Sequence, residues 1–103
     1  MKASFITVAV FAMLLSGAAV AGDVASGKEK SMLCAGCHGE TGISITPTIP
    51  NLAGQKEQYL VKAIKDYRDG KRKDPMMASI AQGLKDDDIV DLAAYFSQLR
   101  VSQ

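Results

Sequence analysis

The run Cys34-Ala35-Gly36-Cys37-His38 restricts this chain more than any other stretch of it. Two thiols separated by two residues, with an imidazole on the next position, have the spacing of a covalent attachment site for a c-type haem. The chemistry explains the pattern. The thiols form thioethers to the two vinyl groups, and the residue after the second cysteine sets an imidazole beneath the iron. A chain built this way has to wrap a flat macrocycle, with His38 as one axial ligand.

Other uses of a paired cysteine fit poorly. The chain holds two Cys and one His, short of the four Cys or His ligands a structural zinc site takes. A thioredoxin-like dithiol belongs in a βαβ context, whereas the residues flanking this motif carry helical periodicity and little strand signal.

The first residues read as a secretory signal peptide: a basic start at Met1-Lys2, an apolar run from Phe5 to Leu15, and small residues at Ala19 and Ala21. Cleavage is expected after Ala21. A retained anchor is disfavoured, because the run is short for a membrane span and has no basic stop-transfer flank. The mature part, residues 22–103, is expected to be one small domain in the periplasm with no membrane span. A domain of that size buries too little to be comfortably stable on side chains alone. A covalently held macrocycle supplies the missing core.

The whole chain has 12 Lys+Arg against 11 Asp+Glu, which lacks the basic excess of a nucleic-acid binder. The charges are segregated, however. Lys62, Lys65, Arg68, Lys71, Arg72 and Lys73 form a basic stretch, and Asp86, Asp87, Asp88 and Asp91 an acidic one. Ordinary solvated helix faces with dipole compensation account for this better than steering toward a charged partner.

Periodicity predicts an all-α domain with three main helices around the haem. The first runs from a possible N-cap at Asp23 to about Leu33, with Gly27 inside it. The stretch from Gly39 to Gly54, punctuated by Pro47 and Pro50, reads as a loop. The second helix carries Tyr59, Leu60, Ala63, Ile64 and Tyr67 on one stripe and stops at Gly70. Lys71 to Lys85 reads as a connection with at most a short helical turn through Ala78 to Gln82. The last helix runs from about Asp86 to about Arg100, with Ile89, Leu92, Ala93, Phe96 and Leu99 recurring every three or four residues.

With a single histidine in the chain, the second axial position must be filled by another group. Lys, Tyr or water remain open, but Met76-Met77 after a proline is the obvious thioether source, and His/Met ligation is typical of cytochromes that move electrons.

These residues resemble the class I cytochromes c, particularly the small soluble cytochromes c553 and either half of the dihaem cytochromes c4. The resemblance rests on Cys34 to Gly39, Ile49-Pro50-Asn51-Leu52-Ala53-Gly54-Gln55, Pro75-Met76-Met77 and Asp88 to Phe96, and covers essentially the whole mature chain. Unlike the dihaem proteins, this chain has one C-x-x-C-H motif. The resemblance implies thioethers at Cys34 and Cys37, axial ligation by His38 and by Met77, with Met76 the runner-up, and a hydrogen bond from His38 to the Pro50 carbonyl. It pairs the first and last helices, with Gly27 meeting Tyr95 or Phe96. It also implies a monomeric, non-enzymatic carrier of one electron between transient redox protein partners. The alternatives are a haem c subunit of a larger oxidoreductase, such as a flavin-dependent sulfide dehydrogenase or a terminal oxidase, and a gas-binding haem sensor. Relatives often cap the last helix with Ser; this chain has Lys85, which cannot accept the capping bonds, so the start is expected to shift to Asp86, whose carboxylate can accept them as the cap.

Overall fold

The structure, a computed structural model, describes residues 3–4 and 22–101. The expected signal peptide therefore lies almost entirely outside the described residues. Among the described residues five helices follow in order: α1 Val24–Lys30, α2 Met32–His38, α3 Glu57–Arg68, α4 Pro75–Ala81 and α5 Asp86–Ser97. No strand forms among the described residues.

Helix α5 is the spine. Ile89, Leu92, Ala93, Ala94, Tyr95 and Phe96 are all buried, and the core cluster joins Leu92, Ala93, Tyr95 and Phe96 to Leu60 of α3. The Tyr95 and Phe96 rings sit 5.2 Å apart, tilted by 60°, an arrangement that aromatic quadrupoles favour.

Helix α1 lies across α5, and Gly27 is the reason it can. A Cβ there would stand 2.0 Å from the Asp91 carbonyl oxygen and 2.7 Å from the Tyr95 Cβ. The expected meeting of Gly27 with the last helix is thus present, at Tyr95. Polar groups lock the crossing: Lys30 reaches Asp88 at 2.9 Å and Asp91 at 2.6 Å, and the Asp23 N–H donates to Asp91 at 2.8 Å.

Two boundaries and one cap differ from the sequence reading. The first helix breaks at Ser31, whose hydroxyl donates to the Lys28 carbonyl at 2.6 Å, so the cysteine motif occupies a helix of its own. Residues 75–81 are helical where a connection was expected. Asp74 caps them by accepting from the N–H groups of Met76 and Met77, both at 3.0 Å, and Pro75 takes the first helical position, where its missing N–H costs nothing. The last helix starts at Asp86 with Lys85 as N-cap, not Asp86. The Asp88 carboxylate accepts from the Lys85 N–H at 2.9 Å, making half of a capping box that needs nothing from the lysine side chain. By contrast α3 ends as read, with Gly70 behind it at φ 79°, the left-handed conformation that favours glycine at a helix end.

The acidic stretch is largely consumed by the fold. Asp88 and Asp91 hold Lys30, and Asp86 pairs with Arg68 of α3 at 2.7 Å. Hydrogen bonds from Lys30 and the Asp23 N–H hold the Asp91 carboxyl below its usual range; the Lys85 N–H and Lys30 do the same for Asp88. Carboxyls depressed in the folded state bind protons less readily there than in the unfolded chain. Their contribution to stability is therefore complete above the ordinary carboxylate pKa of about 4 and drains as pH falls through the lower folded values. Urea midpoints are expected to fall between pH 5 and pH 3, and D91N should flatten that dependence.

Candidate haem site

The core is incomplete on one side. Cys34, Leu52, Ile64 and Leu84 pack against the buried cluster yet remain partly open, and all four line a cleft of about 260 Å³. Its other apolar walls come from Leu60, Ala63, Ile80, Leu92 and Phe96. So large an apolar hollow would forfeit packing if left unfilled. It asks for a flat, greasy occupant.

The residues singled out in the sequence converge here. Cys34, Cys37 and His38 from α2, Pro50 from the loop, and Met76 and Met77 from α4 all line the cleft. No disulfide joins the two cysteines; Cys34 is half-buried and Cys37 exposed. Burial, followed by the neighbouring Cys37, pushes the Cys34 thiol up to about 11.

His38 is 7% exposed. Its Nδ1 donates to the Pro50 carbonyl at 2.8 Å, and since a carbonyl can only accept, this bond fixes the tautomer with the proton on Nδ1. Nε2 is left with its lone pair, the form a metal ligand needs. The loop carrying Pro50 is itself pinned: Asn51 Oδ1 accepts from the Ser44 N–H at 2.7 Å, and the Leu52 and Ala53 N–H groups donate to the Gly42 carbonyl at 2.8 and 3.0 Å.

The two methionines differ in burial. Met76 is 64% exposed, whereas Met77 is half-buried. Both ride on the first turn of α4, which Asp74 holds in place. Removing that cap with Asp74→Ala is expected to cost about 1 kcal/mol, visible as a lowered thermal midpoint of the loaded protein. The signal for this helix start was present in the sequence as Asp followed by Pro.

The donor set fits a haem: two thiols one helical turn apart, an imidazole with a free Nε2, a thioether from another helix, and apolar walls between. An all-helical shell around such a cleft defines a small c-type cytochrome domain. The cytochrome c family profile matches residues 24–100, and the chain belongs to that family, whose members carry covalent haem c.

Its relatives are consistent in kind. The chain is 50% identical over 80 residues to cytochrome c-554(548) of Halomonas halodenitrificans, an alignment taking in 75% of this chain and 96% of that protein. It is 45% identical over 82 residues to cytochrome c4 of Pseudomonas aeruginosa, covering 80% of this chain and 41% of the relative. The crystal structure of reduced recombinant cytochrome c4 from Pseudomonas stutzeri superposes with a TM-score of 0.74 at 39% identity, over 78% of this chain and 47% of that one. This chain thus spans less than half the length of these cytochromes c4.

Proposed function

We propose that residues 22–103 form a periplasmic electron-transfer protein, freed of residues 1–21 on export, that carries one electron on a single haem c between redox proteins. The observation that carries this reading is the convergence of Cys34, Cys37, His38 and Met77 on one apolar cleft. When bound, the haem supplies reversible one-electron chemistry between ferrous and ferric iron.

Each residue then has a defined task. Cys34 and Cys37 tether the group. His38 and Met77 ligate the iron from their separate helices, while Met76 stays at the rim. The Pro50 carbonyl holds the imidazole ring in orientation and strengthens its donation. The soft thioether of Met77 favours the reduced metal. The apolar walls keep water out, and the exposed residues Met32, Leu33 and Cys37 leave one side of the site near the surface, where small transient interfaces suit electron exchange. In this reading the chain carries electrons and performs no bond chemistry on a substrate.

The test is to express the chain with haem-ligation machinery and measure mass, absorption and the N-terminus. A mass gain of one haem, a sharp reduced α-band and a chain starting at Gly22 are expected. A colourless product with both thiols open to alkylation overturns the reading. Elution as a monomer is expected; co-purification with a flavin or catalytic subunit would make the chain a fixed subunit instead.

A further inference from the structure

The chain reaches α5 before α1 begins. Gly22 precedes the helix and is half-buried, and a Cβ on it would lie 2.2 Å from the Val90 carbonyl oxygen and 2.9 Å from the Ala94 Cβ. Gly27, inside α1, meets the next carbonyl of α5, that of Asp91. Two glycines therefore press on successive carbonyls of one helix. The first of them is the residue expected to follow the cleavage site, and its place against α5 is as close as that of the second.

Carboxylates are in excess around this point. Asp23 caps α1, accepting from the Ala25 and Ser26 N–H groups at 2.9 and 3.2 Å. Asp91 accepts from the Asp23 N–H at 2.8 Å on one oxygen and from Lys30 at 2.6 Å on the other. Asp88 shares that lysine, and Asp87 lies one helical turn before Val90. The cations facing them are Lys30 and, at the start of α5, Lys85. Lys28 and Glu29, farther along α1, offset each other. A further positive charge here would relieve repulsion among the acids.

We infer that removal of residues 1–21 completes the α1–α5 crossing: the α-ammonium group created on Gly22 seats beside the Val90 carbonyl and the Asp91 carboxylate and strengthens the fold. This rests on the export reading above. Hydrolysis of the Ala21–Gly22 amide puts the hydroxyl of water on the Ala21 carbonyl carbon and a hydrogen on the Gly22 nitrogen. Near neutral pH that amine takes a further proton, because an α-amine has a pKa of about 8. A neutral amide thus becomes a cation one bond from the Gly22 Cα, which α5 already touches. The carbonyl has a second lone pair to offer beyond its helical bond, and the missing Cβ is what lets the terminus come so near.

The sign of the pH dependence follows. Beside carboxylates the ammonium holds its proton more tightly in the folded protein than in the unfolded chain. Its contribution is complete below the ordinary α-amine pKa of about 8 and is lost as pH rises through the higher folded value.

The experiment compares the haem-loaded protein starting at Gly22 with the same protein retaining Ala21, in which residue 22 stays an amide. Mass spectrometry establishes both N-termini, and thermal midpoints are then taken from about pH 6 to about pH 10, on either side of the α-amine pKa. The Gly22 start is expected to melt a few degrees higher at the acid end, with the gap closing toward the alkaline end. Groups common to both chains cancel in this difference. G22A keeps the ammonium but cannot bring it against α5, so it should melt with the Ala21 start. Equal midpoints at the acid end, a gap indifferent to pH, or a G22A midpoint equal to that of the Gly22 start would overturn the inference and leave the electron-carrier reading intact. An exported protein beginning at another residue would overturn the cleavage reading, and the inference with it.

Discussion

Met77→Ala is expected to strip the iron of its sixth ligand, turning a low-spin six-coordinate spectrum into a high-spin one and opening the reduced protein to rapid carbon monoxide binding. Met76→Ala should leave the spectrum unchanged. The contrast follows from placement. Both methionines begin α4 and both line the cleft, but Met76 keeps 64% of its surface in solvent while Met77 is drawn half inside. A ligand must lose its water to bind iron, and Met77 has already lost much of it. The reduction potential of Met77→Ala should also fall, because a soft thioether stabilises the reduced metal. Absorption spectra of the two variants decide the matter: a low-spin spectrum that survives Met77→Ala and vanishes in Met76→Ala would sink the assignment.

Gly27→Ala is expected to be strongly destabilising, because the added methyl group collides with the backbone of another helix. Ordinarily the change stabilises a helix, by about 0.5–1 kcal/mol. Here the new Cβ meets a backbone carbonyl at 2.0 Å, and backbone on α5 cannot turn aside as a side chain could. Helix α1 must lift, pulling Lys30 away from Asp88 and Asp91 and the Asp23 N–H away from Asp91. Overpacking of this kind costs about 1–3 kcal/mol and sometimes more; in a domain of this size about 2–3 kcal/mol lowers the melting temperature by roughly 10–20 °C. Gly83→Ala is the control, since a Cβ there meets only the Ile80 carbonyl, at 3.8 Å, and it should melt close to the parent. A Gly27→Ala melt within a degree or two of the parent would refute the close-packing account.

The comparison of sequence and structure turns on range. Helices α3 and α5 were readable because a long apolar stripe repeats at the helical period, and Gly70 marks a stop by its backbone freedom alone. Helix α4 is anticipated only as a short turn from Ala78, although its true start is locally marked by Asp74 and Pro75, an ordinary cap and first helical position. The break at Ser31 and the half capping box at Lys85 depend on where a hydroxyl and a carboxylate turn, which spacing does not record. Arg72 belongs to a basic stretch in the sequence, and nothing in a run of cations marks that it is the one whose guanidinium stacks on the Tyr67 ring, 4.6 Å from its centroid.

What the order of amino acids determined by itself is the chemistry: a five-residue motif whose thiols and imidazole suit one kind of cofactor, and helical periods that exclude a sheet. Those signals are covalent or local, so they survive without a fold. The preference for Met77 and the bond from His38 to Pro50 already come with the family resemblance; what only the tertiary structure decided is how deeply each methionine is buried, how His38 is held against Pro50, and which lysine or arginine lines the cleft. Each of these depends on desolvation and hydrogen bonding by groups far along the chain, as with Pro50 for His38 or α3 for Arg72, and burial exists only once the helices have packed.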